Sequence, residues 1–412
     1  MPKLYYFVSV LVLYNFIALN SSFLSMLLNN RYTGELAPFD LGVSRLEITL
    51  VYLLNILALA FVVFIFFLCA SRKIPISKKI FFKLNRKSFD KLFLLLVVGN
   101  LIFTLLTGVG VVLSESSHPF SFLFSIFNPI FLFNIYYILQ RRDSSKLFFV
   151  NIFMFFLLML IKGWTGFIFT IFLIEMYYFL DSRIGKKFVK TWYLSIPFVV
   201  AFVFIVGGIA YSYFSPIKNE IRGLGSAEMT YVEGITAFAS RLSFFPISVG
   251  AFERSDDIVL IYRSSNLALK EVILTSRPLV PRFIFPNKED FSSLNNDVLR
   301  AFYPSITSKT SSNFGLVMYT YILASVNFFE FSSYLIFSIL LLLLVKIMLD
   351  SFRNKDTDII IFLYLLSFFS TAAHEVISIN FVGFIFLLFP ILLVFKVISI
   401  SRISSAKRIF SA

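Results

Sequence analysis

The sequence predicts an all-α integral membrane protein of about ten transmembrane helices, with one large, partly helical loop on the outer (periplasmic) side. Three observations predict it. Of the 412 residues 58% are hydrophobic and 15% charged, and the apolar residues fall in bilayer-length blocks instead of the stripes of soluble helices. The connections between blocks alternate between strongly basic and nearly neutral, as the retention of Lys and Arg in the cytoplasm requires. A single connection, 214–312, is far longer than the others.

The blocks lie near 4–28, 46–70, 92–113, 119–139, 147–161, 164–180, 192–213, 328–349, 358–373 and 379–400. The first has no small-residue cleavage site and exceeds a signal-peptide core, so it is expected to be a retained span. Orientation rests most firmly on Ser71–Lys91. There Arg72, Lys73, Lys78, Lys79, Lys83, Arg86, Lys87 and Lys91 face a single acid, Asp90. Placing that stretch inside also places inside Arg141, Arg142 and Lys146, then Arg183, Lys186, Lys187 and Lys190. Lys346, Arg353 and Lys355 follow, and finally Lys396, Arg402, Lys407 and Arg408. Both termini are then cytoplasmic, and the location is a bacterial inner membrane. The chain divides into a bundle of about seven spans at 1–213, the periplasmic loop at 214–312 and a bundle of about three spans at 313–412.

Two stretches depart from a regular crossing. The blocks at 147–161 and 164–180 are each short of the ~20 residues a span needs. One long helix would export Arg183, Lys186, Lys187 and Lys190, so a tight helical hairpin is expected, with Lys162-Gly163-Trp164-Thr165-Gly166 at its outer tip. Phe314–Val326 is too short to span and reads as an interfacial or re-entrant helix.

The loop holds eleven Lys plus Arg against ten Asp plus Glu, so its net charge is only +1. The chain's net +14 therefore reports topology and attraction to an anionic inner leaflet, and gives no reason to expect nucleic acid as a partner. Within Thr230–Phe252, Val232, Ile235, Phe238, Leu242 and Phe245 recur at helical spacing. Cys69 is the only cysteine, so the loop has no disulfide to order it and must dock on the spans. Its segment from Thr275 to Lys288 carries three prolines, three cations and no acid, which holds the cations on stiff, extended backbone.

Two histidines without ligand spacing make a metal site unexpected, and no Gly-rich phosphate loop points to a nucleotide donor or other cofactor. Asp356-Thr357-Asp358 lies at the inner start of a span, where acids are ordinary, and Glu175 lies near the inner end of its own. The outer cations Arg241, Arg277, Arg282 and Lys288 are not explained by the positive-inside bias. Either they take a phosphate-bearing ligand, which the guanidinium fork suits, or they pair with acids such as Glu233, Glu253 and Asp290. Lys162 is either an anchor at its short tip or a ligand for an anionic headgroup. His374-Glu375, in the short outer turn between the last two spans, offers two proton-transfer groups where Gly, Asn, Ser or Pro would make an ordinary turn.

In architecture and in these short motifs the chain resembles the Wzy-type polymerases of bacterial O-antigen repeat units. The likeness rests on His374-Glu375 in the final outer turn, on Pro281, Arg282, Pro286 and Lys288, on Lys162-Gly163-Trp164, and on the large outer loop in the second half. Arg241 and Gly250 stand too close to form the Arg-x10-Gly pattern of some members. The resemblance implies a metal-independent glycosyltransferase, working without cofactor on undecaprenyl diphosphate-linked oligosaccharide. Its catalytic residues would be His374 and Glu375, and Arg241, Arg277, Arg282, Lys288 and Lys162 would bind pyrophosphate or glycan. Implied partners are membrane lipid and a chain-length regulator protein. An O-antigen ligase would differ mainly in its acceptor. A lipid-linked oligosaccharide flippase or other transporter would favour internal repeats, short loops on both sides and mid-bilayer charges; the sequence shows no repeat, and the long outer loop argues against it.

Overall fold

A computed structural model describes residues 3–33, 36, 38–71, 80–111, 118, 120–143, 145–164, 166–221, 230–235, 243–265, 267–276, 292–304, 313–352, 354–372 and 389–402. Among the described residues the chain is predominantly helical, and five helices are long and apolar enough to cross a membrane. These are α1 (Lys3–Asn29), α2 (Arg45–Ser71), α3 (Arg86–Thr107), and, after five shorter helices, α9 (Trp192–Ile221) and α15 (Phe328–Ser351). At 1.5 Å per residue even the 22 residues of α3 cover about 33 Å. Several apolar helices of this kind make the chain a multi-pass membrane protein.

The expected span at 119–139 is not one helix. It is built from α4 (Ser121–Ile126) and α5 (Ile130–Gln140), with Pro129 between them at the N-cap of α5. Proline gives no N–H to a helix and crowds the carbonyl four residues before it, so the chain breaks there, and the Asn128 side chain takes the N–H of Ile130 at 3.2 Å. The hairpin expected next is present. α6 (Lys146–Ile161) is capped by the Ser145 hydroxyl on the N–H of Phe148, and Gly163 turns the chain with φ of 73° before α7 (Gly166–Phe179) runs back. Phe155 and Phe167 meet edge to face across it at 5.7 Å. α8 (Arg183–Lys190) is the basic connection to α9.

Contacts far apart in sequence gather the basic connections at one end of the bundle. Lys3 Nζ lies 2.7 Å from Asp181, Arg142 Nε 2.7 Å from Asp356, and Gln140 donates to the Arg86 carbonyl at 2.9 Å. A two-stranded antiparallel sheet closes the same end. β1 (Ile80–Leu84) pairs with β2 (Ile398–Arg402) in the register Ile80↔Arg402 to Leu84↔Ile398, and Phe82 packs on Phe352 at 5.2 Å just past α15. This sheet corrects one expectation: the last apolar block is not helical to residue 400, because α17 (Phe389–Val394) stops and the chain pairs with β1 instead.

The opposite end carries the hairpin tip and the described pieces of the long loop: α10 (Phe245–Glu253), α11 (Ser255–Ser264), α12 (Lys270–Ser276) and α13 (Leu294–Phe302). One helix through 230–252 was expected. Residues 231–235 are helical, 236–242 lie outside the described residues, and Ser243–Phe244 is not helical. Pro246 sits in the first turn of α10, where a missing N–H costs nothing, and so starts a new helix there. α10 is buried from Phe245 to Ala251 against α1, α2 and α14 (Gly315–Val326). Among the described residues, the loop thus docks on the bundle through α10. α14 enters the structure as a short buried helix and doubles back into α15 at Asn327, stacking Tyr319 near Tyr334 at 5.0 Å.

Candidate functional site

Of the predicted catalytic and ligand-binding residues, only Lys162 lies among those described. Arg241, Arg277, Arg282, Lys288, His374 and Glu375 lie outside them. Lys162 is the C-cap of α6, and its side chain turns inward over the α3 end, so that only 7% of the residue is exposed. Nζ lies 3.7 Å from the point a Cβ on Gly110 would occupy, and among the described residues it has no carboxylate and no hydrogen-bond acceptor. Burial alone pushes its ammonium down to about 8.

A second buried polar network joins the docked loop to α14, α15 and α16 (Asp358–Thr371). Lys270 and Asp297 are both fully buried and meet at 2.8 Å, with Ser292 donating to the other carboxylate oxygen and Nζ 4.4 Å over the Tyr262 ring. Burial pushes the Asp297 carboxyl above the ordinary aspartate range, while the Lys270 ammonium and the Ser292 hydroxyl pull it back. The neighbouring Glu271 takes the N–H of Leu294 at 2.9 Å and the Tyr319 hydroxyl. Glu330 takes the N–H of Leu269 at 2.7 Å and the Tyr262 hydroxyl at 3.2 Å, and Tyr334 donates to the carbonyl of Ala372 at 2.7 Å. Asn295 is 1% exposed with neither amide atom hydrogen-bonded. An unpartnered buried polar group costs about 1–3 kcal/mol.

The network also marks where the sequence-derived candidates are rooted. Arg241 is two residues before buried Ser243, whose neighbour Phe244 packs on Phe369 at 5.1 Å. Arg277 follows Ser276, next to fully buried Thr275, and Lys288 precedes Ser292 by four residues. His374 is two residues past Ala372, which is fully buried with φ of 58°. The described residues that flank those segments, Phe244, Thr275, Ser292 and Ala372, are buried.

α16 ends at Thr371, and its C-cap carbonyl lies at the level of Tyr334, well inside α15. The turn bearing His374-Glu375, expected at the bilayer edge, lies outside the described residues. The 14 residues of α16 cover about 21 Å.

Sequence reasoning missed Lys270, Glu271, Asp297, Asn295 and Glu330. A signal existed for the first two: Lys270-Glu271 interrupts the apolar run Leu267-Ala268-Leu269 to Val272-Ile273-Leu274, and a charged pair there needs partners. Nothing local marked the others. At the basic end Glu175 is gripped by Arg141 at 2.9 Å and by the Tyr137 hydroxyl at 2.6 Å. Asp356 is held by Arg142, and Asp358 lies 3.6 Å from Lys346. These acids tie the bundle end together. The chain matches no protein-family model, no curated protein and no solved structure.

Proposed function

We propose that the chain polymerises undecaprenyl diphosphate-linked oligosaccharide repeat units at the outer face of the inner membrane. The growing glycan passes from its undecaprenyl diphosphate to a sugar hydroxyl of a newly flipped, lipid-linked repeat unit. The observation that supports this reading is the buried polar network of Lys270, Glu271, Asp297 and Glu330, which holds the described part of the outer loop at the end of the bundle opposite the basic connections. Positive-inside bias makes that end the outer one. Flipped lipid-linked sugars stand there, at headgroup level.

The chemistry follows from the residue types. A base takes the proton of the acceptor hydroxyl as its oxygen bonds to the donor's anomeric carbon, and the bond from that carbon to the diphosphate oxygen breaks. His374 fills the role of base and Glu375 orients it. Arg241, Arg282 and Lys288, with Arg277, neutralise the departing diphosphate, which leaves on its lipid.

The lipopolysaccharide ladder of a strain lacking the gene tests this reading. Core carrying a single repeat is expected, and the full ladder should return when the gene is restored. Bare core would assign the chain to ligation or flipping instead.

A further inference from the structure

The eight residues of α8 hold four cations and no acid. Arg183, Lys186, Lys187 and Lys190 stand at i, i+3, i+4 and i+7, which puts them on one face of the helix, and all four are exposed. Arg183–Lys187 and Lys186–Lys190 are like charges one turn apart, and Arg183 occupies the first turn, where the helix dipole disfavours a cation. A helix this short does not sustain itself in isolation, so its neighbours hold it. The Ser182 hydroxyl accepts the N–H of Gly185 at 3.0 Å, and the Phe188 ring lies 6.3 Å from that of Phe179 in α7. The Ser195 hydroxyl donates to the Phe188 carbonyl at 2.7 Å while accepting from Tyr6 of α1. Gly185 lets α8 lie directly on the end of α7, since a Cβ there would stand 2.3 Å from the Phe179 carbonyl oxygen. The acid nearest in sequence, Asp181, is engaged by Lys3 and Arg142.

The depth of α8 follows from α9. The crossing stretch of α9 begins at Trp192, two residues past the end of α8, and Trp192, Tyr193 and Leu194 are 47%, 64% and 67% exposed. Tryptophan and tyrosine at the start of a crossing helix sit at headgroup level. The bond from Ser195 to Phe188 holds α8 against the first turn of α9, so the cations stand at that same level, with Ile184 exposed among them. Retention of positive charge on one side asks only for cations in the connection, in any arrangement. Here they are set in one stripe on a braced support, at a cost in repulsion that an anion relieves.

We infer that α8 and the aromatic start of α9 form a binding site for an anionic phospholipid that carries two phosphates. Each i, i+4 pair, Arg183 with Lys187 and Lys186 with Lys190, offers charged donors to one phosphate. Trp192, Tyr193 and Ile184 lie along the glycerol and the first carbons of the acyl chains. The site does not depend on the reaction the protein performs.

Trp164 and Trp192 are the chain's two tryptophans, and Trp164 lies at the hairpin tip, so Trp164→Phe leaves one indole, beside α8. The full-length Trp164→Phe protein, in phosphatidylcholine nanodiscs, is titrated with brominated cardiolipin or with brominated phosphatidylglycerol at equal phosphate, which keeps the surface charge the same. Half-quenching of Trp192 by cardiolipin should need about tenfold less phosphate than by phosphatidylglycerol. Lys187→Gln, an exposed substitution, should raise the cardiolipin requirement about fivefold, and Lys186→Gln with Lys190→Gln should bring the two lipids to within about twofold of each other. Equal quenching by the two lipids in the unsubstituted α8 would reduce it to diffuse positive charge and overturn the site. A cardiolipin preference that survives both Lys187→Gln and the double variant, in protein that elutes as the parent does, would also overturn it.

Discussion

O-antigen polymer is expected to vanish when His374 is replaced by Ala or Glu375 by Gln, while the protein still inserts and accumulates normally. A positioned base contributes roughly 10² to 10⁴ in rate, enough to reduce a ladder to its first rung. Glu375→Asp keeps a carboxylate and should retain part of the ladder. Arg282→Ala should abolish polymer as well, and Arg282→Lys should restore little of it, since an ammonium does not reproduce the guanidinium's paired donors. Silver-stained lipopolysaccharide from complemented deletion strains reads all five. Normal ladders from His374→Ala and Glu375→Gln together would return both residues to the role of turn solvation, and the base would have to be sought elsewhere on the loop.

The largest stability effect is expected at the Lys270–Asp297 pair. Both side chains are fully buried, and Ser292 completes the carboxylate's hydrogen bonding. Removing one partner leaves the other charged, dry and alone, a change that typically costs about 3–5 kcal/mol. Lys270→Met and Asp297→Asn should each lower the melting temperature sharply in detergent, and the double variant should recover much of the loss. The pair joins α12 to α13, so the same variants should loosen the docked loop and diminish polymer in proportion to folded protein. Melting temperatures unchanged in both single variants would mean that the pair does not hold the loop.

Much of the bundle was legible because lipid leaves the chain few choices. Long apolar blocks must satisfy their backbone internally, so α1, α2, α3, α9 and α15 stand where hydropathy put them. The alternation of basic connections foretold that Lys3, Arg142, Asp181 and Asp356 would share one end. The hairpin was legible too, since Gly163 alone in that turn tolerates its positive φ at no cost. Less was readable where tertiary contacts overrule local pattern. Ile398–Arg402 continues an apolar block, and only the distant edge of Ile80–Leu84 makes it a strand. Pro129 broke a block that hydropathy alone would have left whole.

The candidate site divides in the same way. His374-Glu375 and the loop cations could be found because their residue types are out of place in a turn and on an outer face. Asp297 could not, because its partner is 27 residues away and its burial depends on how the loop packs. Glu330 looks like any acid in the first turn of a helix, capped as it is by the Asn327 side chain on its own N–H at 2.7 Å. What distinguishes it is burial beneath Tyr262, which no local pattern announces.

The central claim is most directly tested by incubating the purified protein with undecaprenyl diphosphate-linked repeat units alone, without nucleotide sugars or lipid A core, and sizing the products by gel and mass spectrometry. Successive addition of whole repeats, each releasing one undecaprenyl diphosphate, is the predicted result. Repeat units that stay single in the presence of folded protein, and move only when lipid A core is supplied, would contradict it.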